Sequence, residues 1–161
     1  MDVSQANAAS VSSSDDRGAG RIVASAEPHS VAGPIVFFDG ECGLCHRTVD
    51  FALRRDRNGR LWFAPLQGST AEALLPVETR RDLDSVVFWR NGCGYSRSAA
   101  VVALLWTLGG IWRVVAAVLW CVPRPLRDLG YRWVARNRFR WFGRREACRL
   151  PRPEERERFL P

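Results

Sequence analysis

The sequence predicts an α/β domain with the element order β-α-β-α-β-β and an additional helical region at its C-terminal end. Three observations predict this order. Short apolar runs of strand length end at Asp-Gly, Pro or Asn-Gly turn signals. Helical spacing of apolar residues separates the first run from the second, and long helical patterns follow the last run. With 161 residues the chain is long enough for one domain with a substantial core.

The first strand, helix and second strand form a predicted β-α-β unit. Residues 34–38 (Pro-Ile-Val-Phe-Phe) are an apolar run that ends at Asp39-Gly40 and indicates a buried strand. From Cys42 to about Arg55 the apolar side chains have helical spacing. Asn58-Gly59 is a turn signal, and Leu61–Pro65 is the second strand. A helix between two strands implies that they are parallel neighbours joined by a right-handed crossover.

A short helix and a hairpin complete the predicted core. Ser69-Thr70-Ala71-Glu72 resembles a capped helix start, and this helix is expected to extend through Leu75. Residues 85–89 (Ser-Val-Val-Phe-Trp) are the third strand, and Asn91-Gly92 is the strongest hairpin signal in the chain. A short fourth strand is predicted around Cys93–Ser96, which would add an antiparallel edge to the sheet.

The region after this hairpin is predicted to be helical. Residues 98–120 are the most apolar part of the chain, and Gly109-Gly110 divides them. A membrane span needs about 20 predominantly apolar residues, so we expect two packed helices, one of them covering the sheet. A membrane-inserted hairpin is the alternative. From Leu126 to Phe142 an arginine-rich helix with an apolar stripe is predicted, and Gly143 would end it.

The ends of the chain are predicted to lie outside the domain. Residues 1–32 are rich in Ser, Ala, Asp and Gly and lack apolar periodicity, so we expect a disordered tail. Residues 33–151 would form the domain, and residues 152–161 a charged C-terminal tail. No basic start followed by an apolar core is visible at the N-terminus, so a cytoplasmic location is expected, with peripheral contact to a membrane left open.

The net charge of +7 is distributed unevenly, and all 24 basic residues are arginine. Residues 1–123 contain 12 arginines and 12 acidic residues, whereas residues 124–161 contain 12 arginines and five acidic residues. Such a basic segment can attract phosphates or anionic lipid head groups. The plainer interpretation is a solvated helix face. We expect no nucleic-acid partner.

The Cys-x-x-Cys of Cys42 and Cys45 follows a strand directly and begins a helix, which is the geometry of a dithiol redox centre. Unpaired N–H groups and the helix dipole favour the thiolate of the first cysteine, so its pKa should lie below the ordinary value of about 8.5. Cys42 is the candidate nucleophile, and Cys45 would resolve the mixed disulfide. His46 and Arg47 add charge nearby. This pattern is typical of a thioredoxin-like fold.

Asp39 has two interpretations, which the sequence does not separate. Asp-Gly can simply form the turn that leaves the strand. Alternatively, a carboxylate three residues before the attacking cysteine can accept a proton from one of the thiols.

The cysteines have three other interpretations. Cys42 to His46 matches the haem-attachment pattern Cys-x-x-Cys-His, but no export signal is visible, and Met1 and His29 are the remaining Met and His. A structural zinc site usually has two close cysteine pairs, so Cys93 and Cys148 would have to converge singly. Two inert buried thiols are a further alternative. Cys121 lies in an apolar run and is predicted to be in the core.

Several separate blocks of the chain resemble the DCC family of thiol-disulfide oxidoreductases, named for one Asp and two Cys. The first block is Asp39-Gly40-Glu41-Cys42-Gly43-Leu44-Cys45. Further blocks are residues 63–67 (Phe-Ala-Pro-Leu-Gln), 98–100 (Ser-Ala-Ala), 131–138 (Tyr-Arg-Trp-Val-Ala-Arg-Asn-Arg) and 142–151 (Phe-Gly-Arg-Arg-Glu-Ala-Cys-Arg-Leu-Pro). The resemblance therefore covers about residues 34–151.

The resemblance implies a thioredoxin-like fold and protein-disulfide oxidoreductase activity, with Asp39, Cys42 and Cys45 as the motif positions. Cys148 matches a Cys-x-x-Pro near the domain end. Some relatives are fused to membrane domains, which keeps a membrane-linked partner open. Thioredoxins have a cis-proline before the third core strand, whereas Asp82-Leu83-Asp84 stands here. Either another segment lines the dithiol or substrate docking differs.

We therefore expect thiol-disulfide exchange with a protein or small-molecule thiol or disulfide. No bound cofactor is expected, because the cysteine pair is itself the redox group. The competing hypothesis is a non-enzymatic module in which the dithiol is a redox sensor or a metal clip. In that case the Arg/Trp-rich residues 124–149 would dock on a membrane surface or an acidic partner.

Overall fold

The computed structural model describes residues 21–23, 33–81, 86–143 and 152–161. Within these ranges the chain forms one mixed sheet with helices on both faces. The strands are β1 (Arg21–Val23), β2 (Ile35–Phe38), β3 (Trp62–Pro65), β4 (Val87–Arg90) and β5 (Cys93–Ser96). The helices are α1 (Gly43–Arg55), α2 (Ser69–Leu74), α3 (Val77–Arg81), α4 (Arg97–Leu108), α5 (Ile111–Cys121) and α6 (Arg124–Phe142), followed by a 3₁₀ helix (Pro153–Arg158).

The order of strands in the sheet is β1-β5-β4-β2-β3. β2 and β3 are parallel, as a β-α-β unit requires, with Val36 opposite Phe63. On its other edge β2 pairs antiparallel with β4, and Val36 lies opposite Phe88. The predicted α/β class with a thioredoxin-like β-α-β-α-β-β core is confirmed.

Alternating side chains of the buried strands supply two hydrophobic cores, one on each face of the sheet. On one face Val36, Phe38 and Phe63 pack against α1 and α4. On the other face Ile35 and Phe37 pack against α2. Cys42 and Cys45 belong to the first core, so the dithiol lies between the sheet and the helices that cover it.

The turn between β4 and β5 forms where the sequence predicts it. Asn91 and Gly92 both have left-handed backbone angles, with φ of 51° and 74°. Two such residues in succession form the turn whose twist matches that of the flanking strands. This turn sets the register between β4 and β5, in which Arg90 pairs with Cys93.

The apolar region after β5 forms two helices that separate at Gly109-Gly110, where both φ angles are positive. α4 packs on the sheet through Ala100 and Leu104, and α5 packs on α4 through Ala116. No helix in the described part of the chain is long and apolar enough to cross a membrane. Cys121 is exposed, contrary to the prediction, because α5 buries little beyond Ala116.

The structure differs from the expectations for both ends of the chain. Residues 21–23, which we predicted to be disordered, form β1 and pair antiparallel with β5; residues 1–20 and 24–32 lie outside the described residues. Residues 152–161, predicted as a charged tail, pack against β3. Leu160 N–H donates to the Phe63 carbonyl at 2.8 Å, and Phe159 stacks on the Phe63 ring at a centroid distance of 5.5 Å. The charged composition of residues 152–161 did not indicate that Phe159 and Leu160 pack against β3.

Candidate active site

The two motif cysteines lie at the junction of β2 and α1. Cys42 is the last residue before α1 and has an extended backbone, and Cys45 lies in the first turn of the helix. Cys42 is completely buried, and only 6% of Cys45 is exposed. Both are free thiols in this structure. The structure therefore brings the predicted dithiol together and covers it.

The pKa of the Cys42 thiol is lowered from its ordinary value to about 6. The main cause is a hydrogen bond that the Cys45 thiol donates to the Cys42 sulfur. The backbone N–H groups of Leu44 and Cys45, in the first turn of α1, and the charge of Arg138 lower it further. Burial has the opposite effect, but these donors and the cation outweigh it. Cys42 is therefore a thiolate at neutral pH.

The pKa of the Cys45 thiol is raised, because that thiol is the donor in the hydrogen bond to Cys42. Burial and the negative charges of Cys42 and Asp39 raise it as well. Cys45 therefore retains its proton while Cys42 is ionised. One thiolate and one thiol in contact give the pair two distinct chemical roles.

The carboxylate of Asp39 is buried and has a contact on each oxygen. Oδ1 accepts hydrogen bonds from the Glu41 backbone N–H at 3.0 Å and from Gln67 Nε2 at 3.1 Å. Oδ2 lies 3.7 Å from Nη2 of Arg138. The contact with Glu41 supports the interpretation of Asp39 as a turn-forming residue. Its role as a proton acceptor stays a prediction.

Arg138 is the site residue that the motif did not reveal. It lies on α6, and 4% of it is exposed, in contrast to most other arginines of that helix. Its guanidinium places a positive charge near both the Asp39 carboxylate and the Cys42 sulfur. Arg138 is the one buried arginine of α6, whereas Arg132, Arg136 and Arg140 are exposed. Which arginine is buried depends on the orientation of the helix, and the sequence pattern does not resolve this among so many arginines.

The C-terminal end of α6 lies directly on the Cys42–Cys45 turn. Gly43 N–H donates to the Gly143 carbonyl at 3.4 Å. A Cβ atom at Gly43 would lie 2.3 Å from the Phe142 carbonyl oxygen, so only glycine allows this approach. Arg47 lies over the Phe142 ring at 5.2 Å. Of the two alternatives that followed from Asp82-Leu83-Asp84, the structure supports another segment lining the dithiol; residues 82–85 themselves lie outside the described residues.

An apolar cavity of about 460 Å³ opens beside Cys45, between α1, α4 and α6. Cys45 and Arg138 line it, together with Tyr131, whose hydroxyl accepts a hydrogen bond from the Val86 N–H. Cys42 does not line this cavity, so the cavity reaches the thiol and not the thiolate.

The remaining predicted residues lie near or away from the dithiol. His46 is buried, and its Nε2 lies 2.8 Å from the Gly40 carbonyl oxygen, so it contributes to the turn. Cys93 is half-buried in β5, and Cys148 lies outside the described residues. Within the described ranges no three His, Cys, Asp or Glu side chains lie close enough together to hold a metal ion.

Known proteins resemble most of this chain. The family model for the DCC1-like thiol-disulfide oxidoreductases matches residues 36–144, which is more than half of the chain. The chain belongs to the DCC1-like family. This DCC1-like protein is 39% identical over 130 residues to the uncharacterized protein YuxK of Bacillus subtilis, covering 79% of this chain and 93% of YuxK.

A second relative is a DCC family protein of Arabidopsis thaliana that its name describes as chloroplastic. It is 36% identical over 119 residues, which cover 73% of this DCC1-like chain and 69% of the relative. No solved structure matches the chain significantly. The matched range spans the positions of Asp39, Cys42, Cys45 and Arg138.

Proposed function

We propose that this protein is a thiol-disulfide oxidoreductase that exchanges disulfides through Cys42 and Cys45. The observation that supports this most strongly is the asymmetry of the pair. Cys42 is stabilised as a thiolate by its neighbour, by the start of α1 and by Arg138, while Cys45 keeps its proton. The thiolate is the nucleophile in disulfide exchange.

In the first step, the Cys42 thiolate attacks one sulfur of a substrate disulfide. A Cys42–substrate bond forms, the substrate S–S bond breaks, and the other substrate sulfur leaves as a thiolate. Because Cys42 is then neutral, Cys45 loses the hydrogen bond that raises its pKa most, and it also loses the nearby negative charge of Cys42, which raises that pKa as well. Cys45 can therefore transfer its proton to the departing substrate thiolate.

In the second step, the Cys45 thiolate attacks the Cys42 sulfur and releases the second substrate sulfur as a thiolate. The protein is oxidised to a Cys42–Cys45 disulfide, and the substrate disulfide accepts two electrons. The reverse sequence oxidises a substrate dithiol. Direction depends on the reduction potential of the pair and of its surroundings. The pair is the redox group, so we propose no bound cofactor, and the reducing cytoplasm stays the expected location.

A substrate sulfur must contact Cys42, and in this structure Cys42 is completely covered. The contact between Gly43 and the backbone of Phe142 and Gly143 is part of that cover. We therefore propose that exchange requires this end of α6 to move away from the dithiol. Asp39 and Arg138 act as positioning residues, since they link α6 to the turn before α1.

The proposal is tested by thiol reactivity. The rate of Cys42 alkylation by iodoacetamide should increase with pH, with a midpoint near pH 6. Cys45 should react only at higher pH. With glutathione disulfide, the Cys45→Ser variant should accumulate a mixed disulfide on Cys42, and Cys42→Ser should not. Cys93→Ser and Cys121→Ser are matched controls that should leave both results unchanged.

Equal and slow alkylation of both thiols, together with tight binding of zinc, would support the metal-clip alternative and contradict this proposal. A dithiol that oxidises reversibly but does not transfer its disulfide to any dithiol or thiol would support the redox-sensor alternative.

A further inference from the structure

α5 exposes a continuous apolar face. Four of its β-branched residues, Ile111, Val114, Val115 and Val118, are 67%, 57%, 37% and 63% exposed. Their spacing places them on one side of the helix, opposite to the buried Ala116. We call these four residues the α5 face. Isolated apolar residues on a surface are ordinary, but a continuous face of this kind marks an interaction site.

Further exposed apolar side chains lie outside the α5 face, at the end of α5 and on α6. Trp120 near the end of α5 is 72% exposed, and Leu126 and Leu129 in the first turns of α6 are each about 60% exposed. Trp133 is 60% exposed and packs edge-to-face against Trp141 at 4.9 Å. Tryptophan combines an apolar body with one polar N–H group, and it is enriched where a bilayer meets water.

The same helices hold the positive charge of the chain. Residues 97–143 contain eight arginines and one acidic residue, so their formal charge of +7 equals that of the whole chain. The one acidic residue, Asp128, accepts a hydrogen bond from the Ser98 hydroxyl. Five arginines of α5 and α6 are exposed, and we call them the basic rim: Arg113, Arg124, Arg132, Arg136 and Arg140.

We propose that the α5 face and the basic rim dock this protein on an anionic lipid bilayer. An exposed apolar helix face inserts at the boundary between head groups and acyl chains, while exposed arginines of the same helical region bind anionic head groups. The charge complementarity favours a lipid surface. This docking is peripheral, and it does not depend on the proposed thiol chemistry.

A second copy of this chain is the competing occupant. A two-fold contact would place the same surface on both partners. The arginines of the basic rim would then face arginines, and α4–α6 offer no exposed carboxylate to offset them. Like charges that face each other across an interface are unfavourable. The arrangement of charge therefore favours the bilayer over a homodimer.

The test is co-sedimentation of the full chain with vesicles of phosphatidylcholine, with or without phosphatidylglycerol. We expect binding only to the vesicles that contain phosphatidylglycerol, and weaker binding at high salt. Replacing Ile111, Val114 and Val118 by serine should weaken binding about tenfold or more. Replacing Arg132, Arg136 and Arg140 by glutamine should weaken it to a similar extent.

Matched controls come from outside α5 and α6. Val77→Ser removes an exposed β-branched residue of α3, and the double change of Arg152 and Arg156 to glutamine removes exposed positive charge at the C-terminal 3₁₀ helix. Both controls, and the double variant Cys42→Ser/Cys45→Ser, should bind like the unmodified chain. Equal binding to both vesicle types, no binding, or a dimer in solution that the serine variant converts to a monomer would overturn the proposal.

Discussion

At the scale of single residues, the chemistry of the dithiol depends on a buried cation. The Asp39 carboxylate holds Arg138, and the charge of Arg138 acts on the Cys42 sulfur. A buried ion pair of this kind contributes little net stability, but the loss of one partner leaves an uncompensated charge in the core. The pair is therefore better understood as a device that fixes a positive charge near the thiolate.

We predict that Arg138→Met raises the pKa of Cys42 by up to about one unit, because the thiolate loses a nearby cation. The same change should lower the free energy of unfolding by about 3 kcal/mol, since Asp39 is left buried without its counter-ion. Alkylation of Cys42 against pH measures the first effect, and urea denaturation measures the second.

A double variant separates electrostatics from stability. Arg138→Met combined with Asp39→Asn should recover most of the lost stability, because the carboxylate that lost its counter-ion is removed as well, yet the raised pKa of Cys42 should persist. Arg138→Lys should keep the pKa close to that of the unmodified chain. An unchanged pKa in Arg138→Met would contradict the electrostatic role of this residue.

Residues of the site were predictable from the sequence to the extent that they are neighbours in the chain. Asp39, Cys42 and Cys45 lie within seven residues of one another, so one strand–turn–helix pattern brings them together. Arg138 is one of eight arginines between residues 97 and 143. Its selection depends on how α6 is oriented against α1, and this orientation is a property of tertiary packing.

At the scale of elements, the decisive contact is that between the start of α1 and the end of α6. Gly143, with a positive φ of 70°, ends α6, and its carbonyl accepts a hydrogen bond from Gly43. The absence of a side chain at Gly43 permits the Phe142 carbonyl to approach the turn closely. This close approach holds the end of α6 against the turn that contains Cys42.

We predict that Gly43→Ala uncovers the dithiol. The new Cβ atom would lie 2.3 Å from the Phe142 carbonyl oxygen, so the end of α6 must move. Alkylation of Cys42 at neutral pH should become several-fold faster, and the free energy of unfolding should fall by about 1–3 kcal/mol, as for overpacked sites.

Gly130→Ala is the control for this prediction, because Gly130 lies within α6 and has no atom within 4 Å of the position of a new Cβ. Alanine is favoured over glycine inside a helix by up to about 1 kcal/mol, so stability should rise slightly and alkylation should not change. Slower or unchanged alkylation in Gly43→Ala would show that α6 does not control access to Cys42.

The elements that could be predicted are those with their own sequence signal, which is a helical period, a helix cap or an apolar run that ends at a turn. α1, α4 and α6 show helical spacing, and Asn91-Gly92 specifies its hairpin. β1, α3 and the 3₁₀ helix have three, five and six residues, too few for a period to be visible. β1 and the 3₁₀ helix form because they lie beside structure that is already present, the edge of β5 and the edge of β3.

At the scale of the whole molecule, the C-terminal residues pack along the edge of the sheet at β3. Arg158 contacts the Asp56 carboxylate and donates to the Leu61 carbonyl at 3.2 Å, while Thr70 N–H donates to the Pro161 carbonyl at 2.9 Å. Phe159 reaches both Phe38 and Phe63 in the core beneath the dithiol. The stability of the site therefore includes contacts from the last residues of the chain.

The dithiol in turn should couple the stability of the whole domain to pH. The pKa of Cys42 is lowered to about 6 in the folded state, so between pH 6 and about 8.5 the unfolded chain binds the extra proton. Stability of the reduced protein should therefore rise with pH in this window, by up to about 1.4 kcal/mol per pH unit, and should be lost as pH falls through 6. Above pH 8.5 the raised pKa of Cys45 acts in the opposite direction, because the unfolded chain then releases a proton that the folded chain keeps.

The measurement is urea denaturation of the reduced protein at pH values from 6 to 9, with Cys42→Ser measured in the same way for comparison. Groups other than the dithiol cancel in the difference between the two proteins, so a difference that does not change with pH would contradict the thiolate assignment of Cys42.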